Sequence, residues 1–191
     1  MVVPDLFGQA GGPENTAMTR LEQLIHYIVA VTPPEKLGAT KLAKILWFAD
    51  VDFYRQTGET ISHSNSYKKR DNGPLHVDFY NAIARLKQNH CIEERLAPTP
   101  VGYRKEFVWL KQPNVSGFSG QEIATLQRHI DIISKMSAKQ VSDLSHVEPW
   151  NSAYDGEYLP IAAAAVQFGD VSDDDLAWAE AEFHDAVRPT A

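Results

Sequence analysis

Between Thr40 and Gly58 the chain reads TKLAKILWFADVDFYRQTG, and its apolar residues fall on two adjoining stripes. Leu42, Ile45, Leu46, Ala49 and Phe53 follow the offsets of one helix face, and Trp47, Val51 and Tyr54 make a second beside it. A helix that is apolar on two flanks must be covered from two sides. The stretch is therefore expected to be a central helix ending at Gly58, with Lys41, Lys44, Asp50, Asp52 and Arg55 confined to the surface that remains.

The same periodicities place the other elements. Thr19 to Val31 is expected to be a helix: Thr19 and Glu22 form a capping-box pair, Leu21, Leu24, Ile25 and Ile28 give the apolar face, and Pro33 and Pro34 stop it. Ile61 to Tyr67 reads as a short strand or an extended link. Asp71-Asn72-Gly73-Pro74 is a turn, with Pro74 suited to open a helix running to Asn89 on Val77, Tyr80, Ile83, Ala84 and Leu86. The period then changes to two. Ile92 to Leu96 and Tyr103 to Leu110 read as strands joined across Pro98 to Gly102, giving a winged-helix-like hairpin behind the preceding helices. Ser119 to Lys135 is a helix capped by Ser119 and Glu122, with Ile123, Leu126, Ile130 and Ile133 inward. A short helix from Ala138 to Ser145 follows, then a polar turn at Asp155-Gly156 and a helix from Ile161 to Phe168 opened by Pro160. Ser172 with Asp175 caps a last segment, packed through Trp178, Ala181 and Phe183. The fold class expected is mainly α with a small β-hairpin. Residues 1–18 are expected to be a flexible arm, 19–168 a compact helical domain, and 169–191 an acidic helix packed on its body.

Composition narrows this picture. Apolar residues make up 43% of the 191, enough for a true core in one domain. The single cysteine, Cys91, rules out an internal disulfide or a multi-cysteine metal site. It reads as a small core residue rather than a nucleophile, because its neighbour His90 points to the opposite face of a strand. The start of the chain lacks the basic and apolar regions of a signal peptide, and no apolar run reaches a membrane span, so a cytoplasmic protein is expected. Charge is uneven: residues 1–63 carry a net of −2, residues 64–111 a net of +4 and residues 112–191 a net of −9, within a total of −7. A basic middle beside an acidic end suits charged protein partners better than non-specific nucleic-acid coating.

Catalytic signatures are weak. There is no phosphate-binding glycine loop, no GxSxG elbow and no HExxH pair among the seven histidines. Asp50 and Asp52 lie about 200° apart on a helix and cannot share a proton or metal. His26 lacks a second ligand four residues away and reads as a boundary histidine. Lys68, Lys69 and Arg70, with Arg95, Arg104 and Lys105 of the hairpin, are what a winged helix would place on DNA phosphate, but the candidate recognition helix offers few polar readers. Lys41 and Lys44 stand three apart on one helix face, either snorkelling at the core edge or facing an acidic partner.

Three segments carry a family resemblance. KLAKILWFADVDFYRQTGETI at 41–61 has the spacing of lysines, apolar residues and closing glycine seen in the Panacea antitoxin domain, also called SocA-like or phage-associated GepA-like. Tyr67-Lys68-Lys69-Arg70-Asp71-Asn72-Gly73-Pro74 resembles that family's aromatic, basic run and Gly-Pro, with Asp71-Asn72 as an added polar pair. Leu144-Ser145-His146 followed by Pro149-Trp150 resembles its third segment, and the hairpin falls between them in order and length. The similarity spans about Leu21 to Pro160. It implies a non-enzymatic helical domain, with no cofactor and no metal, that neutralises a toxin encoded beside it by direct binding or, in one branch, as an adaptor delivering the toxin to a cellular protease. The expected partner is thus a cognate toxin protein. The residues expected to touch it are Tyr67, Lys68, Lys69, Arg70 and Arg104, with Lys41 and Lys44 as further candidates. Trp47, Phe48, Gly73, Pro74, His146 and Trp150 are expected to be structural, His146 by bonding a backbone carbonyl and Trp150 by locking a corner onto the core. The alternative of another class is a winged-helix DNA-binding regulator.

Overall fold

A computed structural model describes residues 17–99 and 102–167. In it helix α2 (Ala39–Thr57) is buried around its whole circumference for most of its length: every residue from Leu42 to Val51 is buried. Two apolar stripes meet neighbours on both sides. Helices α1 (Arg20–Val31), α4 (Gly120–Ile133), α5 (Ala138–Leu144) and α7 (Ile161–Gln167) all pack on α2. Each fully covered side chain in this core, Ile45, Leu46 and Trp47 among them, contributes roughly 1.5–3 kcal/mol. Gly58 ends α2 in the left-handed region at φ 77°, where its N–H reaches the Tyr54 carbonyl at 2.7 Å.

Helix ends were the most legible local features. Thr19 with Glu22, Ser119 with Glu122 and Ser137 with Gln140 each close a reciprocal capping box. Both capping glutamates do a second job. Glu22 pairs with Arg85 of α3 (Phe79–Gln88), and Glu122 pairs with Arg20. Arg20 also donates to the carbonyls of Ile61 at 2.9 Å and Gly117 at 2.7 Å, so one side chain fastens α1 to two distant segments.

Two antiparallel two-stranded sheets complete the described fold, which is mainly helical. The longer is the hairpin β3 (Ile92–Thr99) and β4 (Gly102–Trp109), paired from Ile92 with Trp109 to Thr99 with Gly102. Pairing thus continues through Pro98 and Thr99, further than the alternation of apolar residues suggests. Its base is buried at Ile92 and Phe107 and leans on α1, α3 and the 3-10 turn Pro34–Lys36. Its far half is solvated on both faces, with Leu96 65% and Tyr103 76% exposed.

The shorter sheet corrects the sequence reading. β1 (Tyr67–Lys68) pairs with β2 (Leu75–His76), so Pro74 does not open a helix and α3 begins only at Phe79. The cause is local. The Pro74 carbonyl, which a helix starting there would use internally, accepts instead from Lys44 Nζ at 2.6 Å. The later start also shifts the phase of α3: Phe79, Ala82, Ile83 and Leu86 face inward, while Val77 and Tyr80 are exposed. A further short helix, α6 (Glu148–Ser152), occupies what the sequence suggested was a corner. The expected helix after residue 168, and all of the expected arm before residue 17, lie outside the described residues, as do Pro100 and Val101 of the hairpin loop. Among the described residues no helix is long and apolar enough to cross a membrane.

Candidate functional site

The Tyr67–Arg70 segment is held from two directions. Beside it on one edge is β2; on the other, residues 156–159 run antiparallel. Lys69 N–H donates to the Glu157 carbonyl at 2.9 Å, Gly156 N–H to Lys69 at 3.1 Å and Leu159 N–H to Tyr67 at 2.8 Å. Tyr67 is consequently buried completely, and the expectation that it contacts a partner is corrected. Its ring meets Trp47 edge-on at 4.9 Å, and its hydroxyl donates to Asp50 at 2.7 Å. Asp50 also accepts from the Ser62 amide at 2.9 Å and the Ser62 hydroxyl at 2.5 Å. Burial pushes the Asp50 carboxyl up to about 6 against the pull of these donors, and raises the Tyr67 phenol well above its ordinary value.

Lys44 corrects the core-edge reading: it is 2% exposed and lines a cavity. Desolvation lowers its pKa to about 7. Gly73 makes room for it. A β-carbon at that position would fall within the Ser145 hydroxyl and 2.7 Å from Lys44 Nζ, at a backbone φ of 92° that side chains rarely adopt. Lys44, Gly73-Pro74 and Ser145 come from the three segments singled out by resemblance, and they meet at one point.

The remaining basic residues stay near the surface, and most have partners. Lys68 lies 4.5 Å over the Tyr158 ring. Lys69 lies 4.2 Å over the Trp150 ring and donates to the Ala153 carbonyl at 2.9 Å. Trp150 in turn stacks on His146, with ring centres 3.7 Å apart and planes 6° from parallel, and its indole N–H donates to the Arg70 carbonyl at 3.1 Å. His146 therefore stacks on an indole, and its Nε2 lies 3.5 Å from the Ser142 hydroxyl; the expected carbonyl bond is not what orients it. Burial lowers its pKa, helped by the nearby charges of Lys44, Lys69 and Lys139. Trp150 is only partly buried, so it fastens the surface of the 67–70 segment and does not fill the core. Arg70 is exposed and pairs loosely with Asp155 at 3.7 Å.

Arg104 lies on the solvated half of the hairpin and pairs with Glu106 at 2.5 Å, where Arg95 also reaches at 3.4 Å. Lys41 is half-buried and donates to the Ser134 carbonyl at 3.3 Å. Its pKa is lowered by burial first and then by the charges of Arg104 and Lys36. Trp47 and Phe48 are both core residues, Phe48 stacking on His129 with ring centres 6.3 Å apart. Asp52, across α2 from Asp50, joins Arg128 at 2.7 Å and His129 at 3.2 Å. Cys91 and His26 are buried, the latter with its imidazole Nε2 2.8 Å from the Lys111 carbonyl. No group of three His, Cys, Asp or Glu side chains placed to hold a metal occurs among the described residues.

Sequence reasoning overlooked Asp50, Ser62, Ser145 and Tyr80. Asp50 had a signal, since it lies three residues from both Trp47 and Phe53 and thus between the two apolar stripes. Tyr80 stood in the pattern as an inward residue, and it is 64% exposed beside Arg70 and Lys44 on the lining of one cavity.

The structure thus defines a mainly helical domain built on one enclosed helix, with three motif segments converging on a buried lysine. Over residues 42–151 the chain matches the family described as antitoxin SocA-like, Panacea domain, and it belongs to that family. No curated protein and no solved structure matches it.

Proposed function

We propose that this chain is an antitoxin that neutralises a cognate toxin by direct protein–protein binding in the cytoplasm. The observation that carries the reading is membership, over more than half of the chain, in an antitoxin family. Two surfaces support it. One is the far half of the hairpin, where Leu96 and Tyr103 are exposed beside Arg104. The other is the basic segment Lys68, Lys69 and Arg70, with Tyr80 beside Arg70 on the lining of one cavity. Exposed aromatic and arginine side chains of this kind dominate protein interfaces. Lys68 to Arg70 are already engaged by rings or a carboxylate, and Arg95 and Arg104 by Glu106, so little uncommitted positive charge is offered to nucleic-acid phosphate.

Co-expression with the product of the neighbouring gene tests the proposal. Growth should be restored by this chain, and the two proteins should co-purify. Equal growth arrest with and without the chain refutes it. The toxin's half-life separates two mechanisms: a half-life unchanged on deleting this chain means inhibition by coverage, and a lengthened one means delivery to a protease.

A further inference from the structure

Between the start of α2, the 70–73 turn and the start of α3 lies a cavity of about 410 Å³. Ala39, Ala43, Leu75 and Phe79 give it apolar walls, and Tyr80 and Arg70 also line it. Its least exposed polar group is Lys44. That amine has three donors, and the acceptor found for it is the Pro74 carbonyl. No carboxylate pairs with it among the described residues; the nearest acid on its own helix in the core, Asp50, is spent on Ser62 and Tyr67. A buried ammonium with no counter-ion is costly, and a protein keeps one mainly where something charged is to be met. The missing side chain at Gly73 is what keeps the space around the amine open.

We propose that this cavity is the socket for an acidic side chain of a bound partner protein, with Lys44 as its counter-ion and Leu75, Phe79 and Tyr80 receiving an apolar residue close by. The partner meant is the toxin, so the proposal rests on the antitoxin reading. The volume has room for an acidic and an apolar side chain together. The sign of the charge follows from Lys44, and its size from the rim. Asp71 and Asp155 also line the cavity, both exposed, Asp155 held by Arg70. They would repel a doubly charged phosphate about twice as strongly as a single carboxylate set against the amine. Tyr80 supplies the exposed aromatic surface from which binding energy usually comes.

Two arms test this on the full chain. In the first, a blocked peptide containing adjacent Leu and Glu is titrated at millimolar concentration and followed by amide chemical shifts, against its Gln twin. The Glu peptide should move Gly73, Leu75 and Tyr80 and raise the titration midpoint of the Lys44 amine; the Gln peptide should do neither. Equal shifts from both peptides, or none from either, overturn the socket. In the second arm, affinity for the toxin is measured for Lys44→Met and for Tyr80→Ala, the latter an exposed position that leaves the fold intact. Lys44→Met should weaken binding about 30-fold or more, as loss of one partner of a desolvated charge pair does, and Tyr80→Ala about tenfold. If both variants bind and neutralise as the parent does, the socket falls and the antitoxin reading stands. If the parent fails to neutralise the toxin, the antitoxin reading falls and the peptide pair still decides the socket.

Discussion

The two small sheets are built on opposite terms. β1 and β2 have two residues each, yet Tyr67 and His76 in them are buried and the pair is bound to α2 through Lys44, Asp50 and Trp47. β3 and β4 have eight residues each, and their far half touches little but water. Ladder length is thus no guide to how firmly a strand is held. The short pair is fixed by polar side chains reaching out of a helix; the long pair sustains itself by its own backbone hydrogen bonds and cross-strand partners.

Substitutions can break or sharpen this contrast. The largest effect is expected from Gly73→Ala, which places a methyl group against Lys44 and Ser145 in a left-handed turn and should cost about 3 kcal/mol in chemical denaturation. A change below ~0.5 kcal/mol would mean that the Lys44 junction is loosely packed. Tyr67→Phe leaves Asp50 short of one donor in a buried place and should cost about 2 kcal/mol by the same measurement.

Next comes the response to pH. The folded Asp50 carboxyl is raised to about 6, above its unfolded value of 3.8, so the folded state holds the extra proton in that window. Stability should therefore fall as pH rises from about 4 to about 6, and Asp50→Asn should flatten that part of the melting-temperature profile. For Lys44 the folded value, about 7, lies below the unfolded 10.5, and the unfolded state holds the extra proton. Stability should therefore rise from about pH 7 toward pH 10, and Lys44→Met should remove the rise. A parallel profile for parent and variant would contradict either assignment.

Trp150→Ala should cost about 1–1.5 kcal/mol, the value of a stacked and cation-facing ring at a surface, and not the 3–5 kcal/mol of a core truncation that its place in the sequence suggests. The smallest change in stability, within ~0.5 kcal/mol, is expected for Leu96→Ser combined with Tyr103→Ser on the hairpin; the same pair should reduce co-purification with the toxin.

Most of the helical frame was legible because periodicity and caps are local. Thr19 with Glu22, Ser119 with Glu122 and Gly58 each announce a helix end through groups within four residues. The junction at Lys44 was not legible in the same way. Lys44 lies on the second apolar stripe of α2, three residues before Trp47 and seven before Val51, so the helix face itself marked it as inward; its charge argued otherwise, and a carbonyl thirty residues away decided the matter. The same long-range bond displaced the start of α3, because Pro74 has good local chemistry for a helix and lost it to a lysine thirty residues before it. Tyr67 read as a surface aromatic in a basic run, since the backbone of 156–159 that covers it lies some ninety residues on.

The limits of the family match have a practical meaning. It covers 42–151, whereas α2 needs Leu24, Ile25 and Ile28 of α1 against one flank and Ile161, Ala164 and Ala165 of α7 against another. A fragment trimmed to the shared stretch would lose both and expose the inside of its own signature helix to water. Expressing or transplanting the shared stretch alone would therefore leave behind helices on which its signature helix rests.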